Sequence, residues 1–139
     1  DMLLGNIYMA MLMVKINGNK ILFSSAGMPP ALIFRNSTKS VDEIRLQAMP
    51  LGASTDFKYS QKETILETGD TLILMSDGFP QLFNKQKEIL DYKKVKEIFC
   101  SAAQLDANKI IDHLCAEADN WRGDAKQEDD ITFVVVKVK

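Results

Sequence analysis

The chain is 139 residues long, with 46% apolar and 26% charged residues and a formal net charge of −2. That is the length of one domain with enough interior to fold without staples, and the composition excludes a disordered, collagen-like or low-complexity chain. With 17 Lys+Arg against 19 Asp+Glu there is no basic surplus for nucleic acid or an anionic membrane.

No apolar run reaches the ~18 residues of a membrane-spanning helix. The Met-rich start has no basic region of the kind that opens a signal peptide. A cytoplasmic location follows, with membrane tethering of a longer parent left open. The opening Asp1-Met2-Leu3-Leu4 lies inside an apolar segment, so the chain reads as a piece excised from something longer. Cys100 and Cys115 sit in apolar-periodic stretches and read as two buried free thiols. No Cys/His cluster suits structural zinc.

Asn6–Ile16 reads as a strand, Asn17-Gly18 as a hairpin turn and Lys20–Ser25 as the returning strand. Ala26-Gly27-Met28-Pro29-Pro30 breaks it, because proline removes a backbone donor. Ala31–Arg35 is a short strand, 36–42 a polar turn, and Glu43–Gln47 another strand. Pro50-Leu51-Gly52 makes a second break, and Phe57–Thr68 alternates as a half-exposed strand does. After the turn at Thr68-Gly69-Asp70, Thr71–Met75 is continuously apolar, as a strand buried on both faces is, and Ser76-Asp77-Gly78 ends it.

The character then becomes helical. Asp91 can cap a helix carrying Val95, Ile98 and Phe99. Asp106 can cap a second, with Ile110, Ile111, Leu114, Cys115 and Ala118 on one face and Gly123 as the stop. The acidic loop Asp124–Asp130 leads into a last strand, Ile131–Val138. Many strands, two helices and a returning strand make an α+β fold with a layered antiparallel sheet, in one domain.

Chemistry concentrates at two places. Asp77-Gly78 leaves one apolar strand and Asp129-Asp130 enters another. If those strands are antiparallel neighbours, the two acidic ends meet. Adjacent carboxylates repel unless a cation lies between them, and oxygen donors of this kind suit Mg²⁺ or Mn²⁺. An ordinary turn and a solvated loop account for the same residues, since Asp and Gly dominate turns. His113, the only histidine, fits a helix surface rather than a triad. The phosphate-cradling glycine patterns are absent. Five of the seven Met precede residue 30 and read as core filler, and Lys85, Lys87, Lys93, Lys94 and Lys96 read as a solvated face.

Four segments, in order, resemble one family. Ser24-Ser25-Ala26-Gly27-Met28-Pro29-Pro30 is similar to its "NAGH-x-P" stretch, and Pro50-Leu51-Gly52 to its "PLG" turn. Gly69 to Gly78 resembles "GD-x-L-x-L-Y-T-D-G", and Gln127 to Thr132 resembles "Q-x-DD-x-T". These are marks of the SpoIIE-like branch of the PPM-type (protein phosphatase 2C-like) metal-dependent serine/threonine phosphatases. The resemblance implies an antiparallel β-sandwich flanked by helices and a binuclear Mn²⁺ or Mg²⁺ centre. It also implies hydrolysis of phosphoserine or phosphothreonine on a bacterial regulatory protein of the STAS (anti-anti-sigma) type, by two-metal activation of water.

Carried over by motif, Asp77 and Asp129 are metal ligands. Gly78 lets the backbone approach closely, Asp130 orients a ligand, and Thr132 steadies the acidic loop by hydrogen bonding. Met28 stands where the family often has His, and Ser76 where it has Thr. The family's earlier Gly-Asp motif has no match in residues 1–20. The resemblance therefore implies that residues 1–139 are the C-terminal part of one phosphatase domain, impaired alone and joined to an upstream sensor or regulatory domain in the parent. Missing leading elements would expose sheet edges and favour self-association, as a homodimer for instance. Two other readings stand beside this one. A haloacid dehalogenase-type enzyme would need Asp where Met75 stands. A non-enzymatic phosphoprotein- or sensor-binding module would carry the carboxylates as a degenerate metal site.

Overall fold

The computed structural model describes residues 7–139. The start of the expected first strand, at Asn6, lies outside the described residues. Two compact units are distinguished among the described residues: 7–30 with 44–66, and 31–43 with 67–139.

In the first unit, β1 (Met11–Asn17), β2 (Lys20–Ala26) and β5 (Gln61–Ile65) form a three-stranded sheet in the order β1-β2-β5. The Asn17-Gly18 hairpin is present: Asn17 pairs with Lys20, and the register runs to Met11 opposite Ala26. β5 pairs antiparallel with β2 and is shorter than the alternation of Phe57–Thr68 suggests. The two sequence breaks meet. Gly27 has φ +76°, and a Cβ there would come within 2.7 Å of the Pro50 ring. Leu51 exchanges backbone hydrogen bonds with Met9 at 2.8 and 3.0 Å.

The second unit carries β3 (Ala31–Arg35), β4 (Ser40–Ile44), β6 (Thr71–Met75) and β7 (Phe133–Lys137), in the order β4-β3-β6-β7. β4 begins three residues before the expected Glu43: the turn closes at once, with the Lys39 N–H on the Arg35 carbonyl at 2.8 Å and Lys39 in a left-handed conformation. β6 is central and almost wholly buried, as its unbroken apolar run requires.

The helices α1 (Asp91–Ala102) and α2 (Ala107–Arg122) supply the other half of this core. Leu32, Phe34, Ile73, Met75, Phe79, Val95, Phe99, Ile110 and Leu114 form one buried cluster. Each such side chain contributes about 1.5–3 kcal/mol relative to exposure. Asp91 caps α1 as expected, its Oδ1 accepting the N–H groups of Lys93 (2.8 Å) and Lys94 (2.9 Å). Asp106 stands at the start of α2, but its side chain makes no cap bond. Its carbonyl alone accepts the Ile110 N–H, at 3.0 Å. Gly123 closes α2, its N–H on the Asp119 carbonyl.

Both cysteines are free, but Cys115 is exposed and Cys100 only partly buried, which corrects the expectation of two buried thiols. α2 turns Ile110, Leu114 and Ala118 inward, and position 115 falls on the outward side of that stripe. The five lysines do not share one helix face. Lys85 and Lys87 lie before α1, Lys94 stacks 3.6 Å over the Trp121 ring, and Lys96 pairs with Glu43. No helix among the described residues is long and apolar enough to cross a membrane.

Candidate metal and phosphate site

The antiparallel pairing of β6 with β7 decides where the two acidic ends fall. The ladder runs from Thr71 opposite Lys137 to Met75 opposite Phe133. It is extended by one more rung, the Ser76 N–H donating to the Thr132 carbonyl at 3.1 Å. Asp77 therefore leaves β6 at the end where the 129–131 segment enters β7.

Ser76 ties this junction. Its hydroxyl donates to the Asp130 carbonyl (2.9 Å) and accepts the Thr132 N–H (2.9 Å). Thr132 thus steadies the acidic loop through its backbone. Asp129 turns back on its own chain, its Oδ1 accepting the Asp130 N–H at 2.7 Å, while its carbonyl accepts the Gln127 side-chain amide at 2.9 Å. The Asp77 carbonyl accepts the Gln81 N–H at 3.0 Å, which starts a tight turn.

Gly78 is the closest point between the two segments. A Cβ there would run into the Asp130 carbonyl oxygen, with the carbonyl carbons of Asp130 at 3.0 Å and Asp129 at 3.4 Å. Only a residue without a side chain lets the two backbones approach this far. The expected adjacency of positions 77 and 129 is thus built by backbone packing.

Asp77, Asp129 and Asp130 are all exposed. Among the described residues no group of three or more His, Cys, Asp or Glu converges as a metal cage. The donors present are oxygens, of the type that hard divalent cations take. Mg²⁺ in particular keeps several waters and is commonly held by one or two carboxylates with a substrate phosphate. Asp77 and Asp129, carried by two segments whose backbones meet at Gly78, are of the donor type such an ion takes. A cavity of about 230 Å³ opens beside Asp129, bounded by Gly78, Gln81, Lys126 and Asp129 itself.

Residue reading alone missed the role of Ser76, and Asp70 with it. Asp70 lies at the other end of β6 and is 1% exposed. It accepts the N–H groups of Asn36 (2.9 Å) and Glu67 (3.1 Å) and pairs with Arg35 (2.9 Å). Burial would raise its pKa; those two backbone donors and the guanidinium outweigh it and hold the carboxyl below its ordinary value. A Gly-Asp step before an apolar run, with an Arg ending the strand that turns out to be its sheet neighbour, was the only signal.

A profile of the Stage II sporulation protein E (SpoIIE) family matches residues 5–139. The chain belongs to the SpoIIE family. It is 28% identical over 124 residues to phosphoserine phosphatase RsbU of Bacillus subtilis, covering 87% of this chain and 36% of that protein. It resembles the manganese-presoaked phosphatase domain of Bacillus subtilis SpoIIE with TM-score 0.68 and 26% identity, over 93% of this chain and 56% of that one. The SiaA-PP2C domain of Pseudomonas aeruginosa superposes with TM-score 0.74 at 19% identity, over 87% of this chain and 47% of that one, and shows the fold. Two antiparallel sheets with two helices are accordingly PP2C-like, as the α+β expectation held. The SpoIIE-family chain spans about half, or less, of the length of these relatives.

Proposed function

We propose that this SpoIIE-family chain is the C-terminal part of a metal-dependent protein phosphatase domain acting on phosphoserine or phosphothreonine. In this reading Asp77 and Asp129 hold Mg²⁺ or Mn²⁺, a pair of ions in the intact domain. The observation that carries it is the junction at Gly78, where the exit of β6 and the entrance of β7 press backbone against backbone and bring two acidic positions together. Relatives named as a phosphoserine phosphatase and as manganese-presoaked and PP2C-type phosphatase domains support it.

Divalent cations, when bound, neutralise phosphate oxygens and make hydroxide available near neutral pH. The chain's own residues do the rest. Asp129 borders the cavity and Asp77 immediately precedes Gly78 of its lining, so each would offer carboxylate oxygens to an ion held at the junction. Ser76 fixes the Asp130 carbonyl and the Thr132 N–H, so that the acidic loop keeps its place without a bound ligand. Gly78 keeps the floor clear of side-chain atoms. The chemistry needs no covalent nucleophile, which agrees with the positions of the cysteines and of His113, whose Nε2 contacts Ser101 on the helices.

The family resemblance further suggests a phosphorylated STAS-type regulatory protein as substrate, with sigma-factor signalling as the setting and an upstream regulatory domain in the parent. The test is Mn²⁺ titration by calorimetry together with phosphate release from a phosphoserine protein by the full-length parent. Asp77→Asn and Asp129→Asn are each expected to weaken Mn²⁺ binding about tenfold or more and to abolish most turnover. Undiminished binding and rate in both variants would remove the assignment of these two residues, whereas no phosphate release by the unmodified parent would leave a non-enzymatic phosphoprotein-binding module as the reading.

A further inference from the structure

A second cavity, about 520 Å³, adjoins the one beside Asp129 and shares Phe83, Lys126 and Glu128 with it. It leads away from the acidic junction toward Lys85 and Lys87. The smaller cavity is bounded by Asp129, so a phosphorylated side chain placed there would lay its flanking residues in the larger one.

That wall is built rather than loose. The Asn84 Oδ1 accepts the N–H groups of Gln86 (3.0 Å) and Glu88 (2.9 Å), and its amide donates to the Glu88 carboxylate. Phe83 and Ile89 form a β-bridge, and the Trp121 indole N–H donates to the Leu82 carbonyl at 3.1 Å. The loop is thereby fixed to α2 before any ligand arrives, which lowers the ordering cost of binding.

The wall's chemistry is cationic and apolar. Three lysines face one glutamate. Lys85 is engaged by Asp124, whereas Lys87 and Lys126 have no ion-pair partner among the described residues. Phe83 keeps 38% of its surface exposed although it is held by the bridge to Ile89. An unspent positive pair around an exposed ring complements an extended segment that is acidic and carries one apolar side chain.

We infer that the groove bounded by Phe83, Lys87 and Lys126 docks an acidic segment of the phosphoprotein substrate, next to the phosphorylated residue. The inference rests on the phosphatase reading for the identity of that partner. Lys87 and Lys126 receive the acidic side chains, and Phe83 seats the apolar one.

The test is fluorescence anisotropy on the full chain without divalent ions, using two labelled phosphoserine peptides of equal length. One has Asp and Glu with a single Leu beside the phosphoserine; the other has Lys and Gly in their place. The acidic peptide should bind about tenfold tighter, and the margin should shrink with added salt. Lys87→Glu and Lys126→Glu should each weaken acidic-peptide binding about three- to tenfold, and Phe83→Ala should weaken it as well. Lys62→Glu, on the exposed β5, should change nothing. Equal affinities, no binding of either peptide, or indifference to both charge reversals would overturn the inference. Phosphate release by the full-length parent is scored separately. Selectivity without release would remove the phosphatase reading and keep the groove; release without selectivity would do the reverse.

Discussion

At the scale of single residues, the approach at Gly78 is the feature that cannot be exchanged. Its neighbour across the gap is backbone, the carbonyl of Asp130, which has no rotamer with which to move aside. That carbonyl is also pinned by the Ser76 hydroxyl. Gly78→Ala must therefore push the acidic loop away from β6 or distort the Asp77 turn. The expected cost is about 1–3 kcal/mol by urea denaturation. Metal affinity should fall together with stability, because the same displacement separates positions 77 and 129. A Gly78→Ala chain with unchanged stability and unchanged Mn²⁺ affinity would show that the two backbones do not meet as described. Ser76 was visible in the sequence only as a substitute for Thr. Its function resides in a hydroxyl at the exit of β6 that bonds two residues of the segment entering β7, a relation that no local pattern encodes.

At the scale of elements, β6 is held at both ends by different chemistry. Its far end carries the Asp77 junction. Its near end is fixed by Asp70, whose carboxylate gathers the N–H groups of Asn36 and Glu67 and the guanidinium of Arg35; Arg35 in turn binds Asp42 at 2.7 Å. Thr71 adds a bond to the Ala103 carbonyl, which ties the strand to the end of α1. Because the folded-state pKa of Asp70 is depressed, protonation favours the unfolded chain. The clamp's contribution is complete above the unfolded value of about 4 and disappears as pH falls through the lowered folded value. Asp70→Asn should cost about 1–3 kcal/mol at pH 7, since the buried position loses the charge on which the Asn36 and Glu67 N–H groups and the Arg35 guanidinium converge, while Arg35 keeps Asp42. It should also flatten the loss of stability below pH 4. Denaturant midpoints of both proteins between pH 2.5 and 7 measure this directly, and parallel pH curves would contradict it. The strands themselves were legible where one signal dominated: the Asn17-Gly18 turn, the apolar run of β6, the β-branched run of β7. The start of β4 was not, because Val41, a good strand former, stands alone between the polar run 36–40 and Asp42-Glu43. The Asp70 clamp reaches partners 34 and 35 positions away, beyond any periodicity.

At the scale of the whole molecule, the chemistry was more readable than the surfaces. Asp77-Gly78 and Asp129-Asp130 could be brought together in the sequence only on the condition that their strands pair antiparallel, and β6 and β7 do pair so. The docking wall could not, since Phe83, Lys87 and Lys126 come from a loop and an acidic stretch that have no shared pattern. The surface of the first sheet is a similar case. The early methionines looked like core filler, but Met11 is 37% exposed, Met13 57% and Ile16 52%, all on β1. The order β1-β2-β5 leaves β1 at the sheet's edge among the described residues, so unpaired backbone groups and apolar side chains coincide there. An edge of this kind pairs with another copy unless a charge or a cover blocks it. The chain should therefore self-associate as its concentration rises, and Met13→Lys, which sets a charge in the middle of the edge, should shift sedimentation toward the monomer. Met13 pairs with Ser24 in the ladder through backbone atoms, so the substitution leaves the β1–β2 register intact. Sedimentation velocity across a hundredfold range of concentration separates the outcomes: a monomer throughout would show that this edge is inert, and an oligomer indifferent to Met13→Lys would place the contact elsewhere on the molecule.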